Sequence, residues 1–197
     1  MNVPAAASPS RMTVREFLDW AVAQAPGRYE LVQGTPVAMA PERNLHLIVK
    51  GAVFRALSEA VAAAGLDCTV LPDGATVVID ETTAREPDAA VQCGSAPDPD
   101  ALTIDAPIIV VEVASPTSVR TDEDDKLVEY FSVPSIQHYL VLHPKQRVVV
   151  HHKRHEADEI RTRIMREGVI DLAPPGFSVA VADLFGPALP MREAVKG

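Results

Sequence analysis

Apolar residues recur at two periods along this 197-residue chain. Val14, Phe17, Leu18, Ala21 and Val22 fall at helical spacing. Thr13 followed by Glu16 reads as a capping box, in which each side chain satisfies a backbone N–H that the first turn leaves unpaired. Pro26-Gly27 should stop that helix. A longer stripe runs from Leu45 through Val49, Val53, Leu57 and Val61, with Asn44 as the expected cap and Gly65 as the expected stop. Thr121-Asp122-Glu123-Asp124 opens a third capped helix reaching about residue 131.

Between these helices the pattern is extended. Residues 28–33 and 36–39 flank Gln33-Gly34, a tight-turn signal. Residues 68–71 and 75–79 flank Pro72-Asp73-Gly74, which predicts a hairpin, and 81–85 then reads as a polar connection. Residues 89–93 form a short strand, followed by a loop rich in Pro and Asp. Residues 107–113 are a continuous β-branched run, as expected of a central strand buried on both faces. Residues 136–142, 147–151 and 160–165 read as further strands, and 177–185 as a closing segment. The order predicts an α/β (α+β) fold, a mixed central sheet flanked by helices, with an N-terminal helix and hairpin.

The length suits one hydrophobic core, so the expected organisation is a tail at 1–11, one domain over 12–186 and a tail at 187–197. Hydrophobic residues at 47% and charged residues at 23% are ordinary globular values. Met1 to Ser10 lacks the features of a signal peptide, and the longest apolar stretch, 106–111, is far too short to span a bilayer. Cys68 and Cys93 make neither a disulfide framework nor a zinc motif, and two cysteines fit a reducing compartment. The expectation is a cytoplasmic protein with no membrane partner. The formal net charge of -9 argues against strong non-specific nucleic-acid binding, although a local basic surface can still face a phosphate backbone.

Three residues then draw attention: Asp88 after Pro87, Glu112 near the end of the most apolar strand, and Lys126 on the following helix. A carboxylate in the setting of Glu112 needs a cation, hydrogen bonds or a proton. Two carboxylates on neighbouring strands can grip Mg²⁺ or Mn²⁺, and a nearby lysine can orient water or stabilise developing charge. That set suits phosphodiester hydrolysis. Structural readings stand beside it. Glu112 could pair with an Arg at the sheet rim, Asp88 could cap a turn, and Lys126 could pair with Asp122 one helical turn away.

Pro87-Asp88, the run Glu112-Val113-Ala114-Ser115-Pro116-Thr117-Ser118, Asp125-Lys126-Leu127 and Tyr130 together resemble the PD-(D/E)XK nuclease superfamily, and within it the bacterial Uma-two family of restriction-endonuclease-like proteins. Tyr29 to Gly34, His46, Val133-Pro134 and Tyr139-Leu140-Val141 extend the likeness over about residues 12–186. The resemblance implies a restriction-endonuclease-like core of helix, three strands, helix and strand. It implies Asp88 and Glu112 as metal ligands and Asp88, Glu112, Lys126, Glu30 and His46 as the catalytic set. The superfamily's usual lysine position, two residues after the second acid, is Ala114 here, and Lys126 matches a lysine displaced to the next helix. Glu30 would complete the metal site or position a water, and His46 would contact metal, water or phosphate. The alternatives for these two are an outward hairpin residue and a surface residue of a first helical turn.

The implied activity is a metal-dependent endonuclease acting on DNA. The rivals are a catalytically silent binding or assembly protein on the same fold, and a hydrolase of a small phosphorylated molecule. A homodimer would suit the cutting of two strands. His151-His152-Lys153-Arg154-His155-Glu156 resembles a metal cluster, but adjacent strand residues point to opposite faces, so the expectation is a polar strand end or a basic edge with Lys145 and Arg147. Ser115 and Ser118 lack a base and oxyanion partner, and no Gly-rich phosphate loop is present.

Overall fold

A computed structural model describes residues 11–23, 27–114, 120–156 and 159–187. Helix α1 (Val14–Ala23) starts as expected: the N–H and hydroxyl of Thr13 donate to Glu16 Oε2 at 2.8 and 2.9 Å, and the Glu16 N–H donates back to Thr13 Oγ1 at 3.3 Å. Strands β1 (Tyr29–Val32) and β2 (Thr35–Ala38) form a hairpin whose turn residues, Gln33 and Gly34, have φ of 48° and 80°. Two consecutive positive φ values let the turn follow the right-handed strand twist. Helix α2 (Asn44–Ala63) is capped by Arg43, which makes no side-chain capping bond, so Asn44 is the first helical residue rather than the cap. Gly65, at φ 63°, lies just past its end.

The remaining strands are β3 (Cys68–Pro72), β4 (Val77–Val78), β5 (Ala84–Arg85), β6 (Ala89–Cys93), β7 (Pro107–Val113), β8 (His138–His143), β9 (Val148–Arg154), β10 (Ile160–Met165), β11 (Val169–Leu172) and β12 (Phe177–Ala180). Helix α3 (Arg120–Ser132) joins β7 to β8, and a 3₁₀ turn (Asp183–Phe185) follows β12. The main sheet is six-stranded and mixed, in the order β10-β9-β8-β7-β6-β3, with β7 and β8 parallel and the other neighbours antiparallel. A second sheet runs β2-β1-β5-β4, and β11-β12 is a separate hairpin.

One face of the main sheet packs Val53 and Leu57 of α2 and Leu172 and Val179 of the late hairpin against Val91, Ile109, Val111 and Leu140. The other face packs Tyr130 and Phe131 of α3 against Val110, Tyr139 and Val141. Strand β7 alternates between these two cores, which is why its sequence is apolar almost throughout.

Two expectations are corrected. Pro72-Asp73-Gly74 does not close a hairpin. β3 pairs with β6 in the main sheet and β4 pairs with β5 in the second, so the turn carries the chain from one sheet to the other. The supposed polar connection at 81–85 supplies β5, with Ala84 and Arg85 both buried. The cysteines are also linked: Cys68 and Cys93 face each other across β3 and β6, at a Cα–Cα distance of 4.0 Å, and form a disulfide. The Gly94 N–H donates to the Asp67 carbonyl at 2.9 Å, which makes 68/93 a non-hydrogen-bonded pair, where opposed side chains lie closest. A register set 25 residues apart along the chain is invisible to a count of cysteines. No helix among the described residues is long and apolar enough to cross a membrane.

Candidate active site

The site forms where β7 ends. β6 runs antiparallel to β7, pairing Ala89 with Val111, so Asp88 enters β6 beside the residue that leaves β7. Its Oδ2 accepts the Val113 N–H at 2.6 Å. Its Oδ1 lies 3.3 Å from His46 Nε2 and 3.2 Å from Lys50 Nζ. Burial alone would raise the Asp88 pKa. The hydrogen bonds from His46 and Val113 and the charge of Lys50 outweigh it and hold the group below the ordinary carboxylate range.

Glu112 projects to the α3 side of β7. Its Oε1 accepts from Lys126 Nζ at 2.9 Å and from the Tyr130 hydroxyl at 2.7 Å. Lys126 and Tyr130 are four residues apart on α3, so both reach the same carboxylate. Burial pushes the Glu112 carboxyl up to about 7; Asp88 and Glu30 add to the rise, while Lys126 and Tyr130 oppose it. Lys126 Nζ also lies 3.3 Å from Glu30 Oε1. Glu30 in turn accepts from Arg85 Nη1 at 3.0 Å and from the Glu86 N–H at 3.2 Å.

The five residues singled out in the sequence therefore converge, as the linked groups His46–Asp88 and Glu112–Lys126–Glu30. Ser115 to Ser118 lie outside the described residues, as does the side chain of Asp122. Lys126 meets Glu112 and Glu30. Among the described residues no Arg pairs with Glu112.

Sequence reasoning missed the charged frame around these groups. Arg85, only 3% exposed, makes a two-pronged contact with Glu129 of α3 at 2.6 and 3.0 Å while holding Glu30 on β1. Lys50 reaches Glu42 at 2.7 Å and Asp73 at 2.6 Å as well as Asp88. Arg28 bonds Glu86, Asp73 and Glu42. His46 and Lys50 stand one turn apart on α2, and Glu42 lies two residues before the helix begins at Asn44. The i, i+4 spacing of His46 and Lys50 was the available signal.

The arrangement fits a divalent cation. Glu42, His46 and Asp88 offer ligand atoms all within 4.8 Å of one another. Glu42 Oε2 is buried and has no hydrogen-bond partner. Four cations (Arg28, Lys50, Arg85, Lys126) face seven carboxylates across the frame, so negative charge is in excess when all are ionised.

A mixed sheet with two adjacent strand ends presenting carboxylates, and a helix returning a lysine to them, defines a nuclease-like fold. A crystal structure described as "a putative nuclease belonging to DUF820 from Anabaena variabilis ATCC 29413" superposes with a TM-score of 0.67 at 16% identity, over 88% of this chain and 97% of that one. The sequence profile of the Uma2 (Uma-two) family, described as "Putative restriction endonuclease", matches residues 14–182, and the chain belongs to that family. None of the curated proteins matches it.

Proposed function

We propose that the protein is a metal-dependent endonuclease that hydrolyses DNA phosphodiester bonds at Asp88, Glu112 and Lys126. The observation that carries this reading is the convergence of two buried strand-end carboxylates with a lysine 2.9 Å from one of them. Asp88 and Glu112 would hold Mg²⁺ or Mn²⁺, and His46 and Glu42 stand on the α2 side of Asp88 as further candidate ligands. When bound, the cation would polarise a phosphoryl oxygen and lower the pKa of a water.

The chain's own groups have distinct tasks. Lys126, held between Glu112 and Glu30, keeps a fixed positive charge where negative charge would develop. Glu112, with its pKa raised to about 7, can hold or release a proton near neutral pH. Tyr130 fixes the Glu112 carboxyl through its hydroxyl. Glu30, anchored by Arg85 and a backbone N–H, orients Lys126 rather than standing free for substrate.

One observation favours a silent binding protein instead: the carboxylates of Asp88 and Glu112 already accept hydrogen bonds from protein donors. Cleavage of supercoiled plasmid and single-stranded DNA with Mg²⁺ or Mn²⁺, beside an EDTA control and Lys126→Ala, decides between them. The nuclease reading expects metal-dependent cleavage that falls at least about 100-fold in the variant. Folded wild type that neither cleaves DNA nor binds Mn²⁺ would transfer the assignment to the binding protein.

A further inference from the structure

Cations elsewhere in the molecule behave differently from those in the site. Residues 130–155 contain no Asp or Glu in a chain with 27 acidic residues, yet hold four Lys or Arg and five of the six His. This stretch forms β8, β9 and the turn between them, and β10 adds Arg161, Arg163 and, just past its end, Arg166. Among the described residues Lys145, Lys153, Arg163 and Arg166 have no carboxylate at ion-pair distance; Arg161 meets Glu159 at 3.1 Å and remains 60% exposed. Net negative charge elsewhere therefore coexists with one wing of unneutralised positive charge.

The topology sets this wing beside the candidate site. β7 and β8 are parallel with Glu112 opposite Val141, so β8 ends next to the site. β9 returns from that end with Val148 opposite His143, and β10 comes back to it with Met165 opposite Val149. The turn carrying Lys145 and Arg147, and Arg166 beyond β10, thus lie at the same sheet end as Glu112, two to three strands or roughly 10–14 Å away. Arg147 is pre-placed, its guanidinium stacked 5.2 Å from the Phe185 ring centre and bonded to the Gly186 carbonyl at 3.3 Å. Arg166 donates to the Gln146 carbonyl at 3.2 Å, which ties it to the Lys145 turn, whereas Arg161 and Arg163 share with Lys153 the face of Val149 and Met165, opposite the one on which Glu112 projects.

We propose that the site end of this wing, the turn carrying Lys145 and Arg147 together with Arg166, is the surface that holds a nucleic-acid backbone beside the site; the proposal rests on the nuclease reading. Charged residues on an edge strand also discourage edge-to-edge aggregation. That purpose does not explain Lys145 and Arg166, which lie beyond the strand ends. Phosphate contacts need cations that give up water and counterions rather than protein carboxylates, and Lys145 and Arg166 meet no carboxylate among the described residues. Arg28, Lys50, Arg85 and Lys126 are each committed to at least two carboxylates.

The test is fluorescence anisotropy of a labelled duplex, and of its single strand, titrated with full-length protein in EDTA so that cleavage does not intervene. Lys145→Glu/Arg166→Glu is compared with Arg15→Glu/Arg55→Glu, which changes net charge equally at exposed positions on α1 and α2. The wing variant should bind at least about 10-fold more weakly at low salt, and its log–log salt slope should be shallower by about 2, with the control near wild type. Equal binding by wild type and wing variant, or equal losses in both variants, would overturn the surface. If plasmid cleavage persists in that case, the nuclease reading survives without it. No DNA binding by folded wild type at low salt overturns the surface outright, and the cleavage and Mn²⁺ measurements then judge the activity separately.

Discussion

The two flanks of the central sheet manage charge in opposite ways. At the β6–β7 end, four cations are locked between carboxylates drawn from β1, β7, α3, the loop before α2, the turn after β3 and the link between β5 and β6. In the β8–β10 wing, all but Arg161 of the described Lys and Arg side chains stand without a carboxylate partner, and β8 and the start of β9 beneath them are apolar. The first arrangement fixes geometry, because a buried charge tolerates little displacement from its counter-ion. The second leaves charge available to something outside the chain. Substitutions in the two regions should therefore differ in kind: loss of fold on one side, loss of binding on the other.

The largest difference should come from Arg85→Ala. It strands Glu30 and Glu129 without their shared cation, and removal of one partner from a buried pair costs about 3–5 kcal/mol. Urea unfolding would measure this, and a loss below about 1 kcal/mol would show that the frame does not hold α3 to β1.

Next comes acid. Under the wing, His138 Nδ1 lies 2.9 Å from His151 Nε2, and His138 Nε2 lies 2.8 Å from the Pro174 carbonyl. A carbonyl only accepts, so His138 donates through Nε2 and its Nδ1 accepts from His151, which requires His138 to be neutral. Burial above all, with the charge of Lys153 adding to it, lowers both pKa values to about 4. The unfolded chain, with ordinary histidines near 6.5, binds more protons over that interval. The pair's contribution should be full above about pH 6.5, fall as pH drops toward 4 and level off below it. Thermal melts across this range should show that loss reduced in Lys153→Gln, whose added charge no longer opposes protonation; an unchanged pH profile would detach the wing's charge from the pair beneath it.

Tyr130→Phe removes the hydroxyl bonded to Glu112 while keeping the ring on Tyr139, whose centre is 5.0 Å away. Above about pH 8, where Glu112 with its pKa of about 7 is mostly ionised, the expected cost is about 1.5–3 kcal/mol, since the acceptor is then a charged group. A smaller value in unfolding measurements would mean that Lys126 alone secures the carboxylate. Least of all should Arg163→Ala disturb folding: it is exposed, and its effect on stability should stay within about 0.5 kcal/mol. A larger loss would mean that the wing's cations hold structure after all.

Much of this architecture was legible beforehand, for local reasons. The capping box at Thr13, the turn at Gln33-Gly34 and the unbroken apolar run of β7 each depend on contacts within a few residues, or on a strand's need to be buried on both faces. Opposite faces for His151 and His152 followed from strand alternation: one meets His138, and the other stacks on Tyr139 at 5.6 Å. The hairpin at Pro72-Asp73-Gly74 failed because turn chemistry specifies a reversal but not which strand the returning chain joins. β5 was missed because two residues are too few to show a period. Arg85 and Glu129 looked like ordinary surface charges, since nothing local marks a pair 44 positions apart.

By itself the sequence determined the helices, most of the main-sheet strands, the excess of acid, the acid-free stretch at 130–155 and the set Glu30, His46, Asp88, Glu112 and Lys126. All of these but the last are properties of short windows or of composition; Glu30 and His46 entered that set only through the resemblance to a known family. The tertiary structure decided which carboxylate each cation serves, that Glu30 faces Lys126, that Cys68 meets Cys93 and that the basic wing ends beside Glu112. Those facts depend on strand order and register, which are fixed when distant segments share one core, and no local period encodes them.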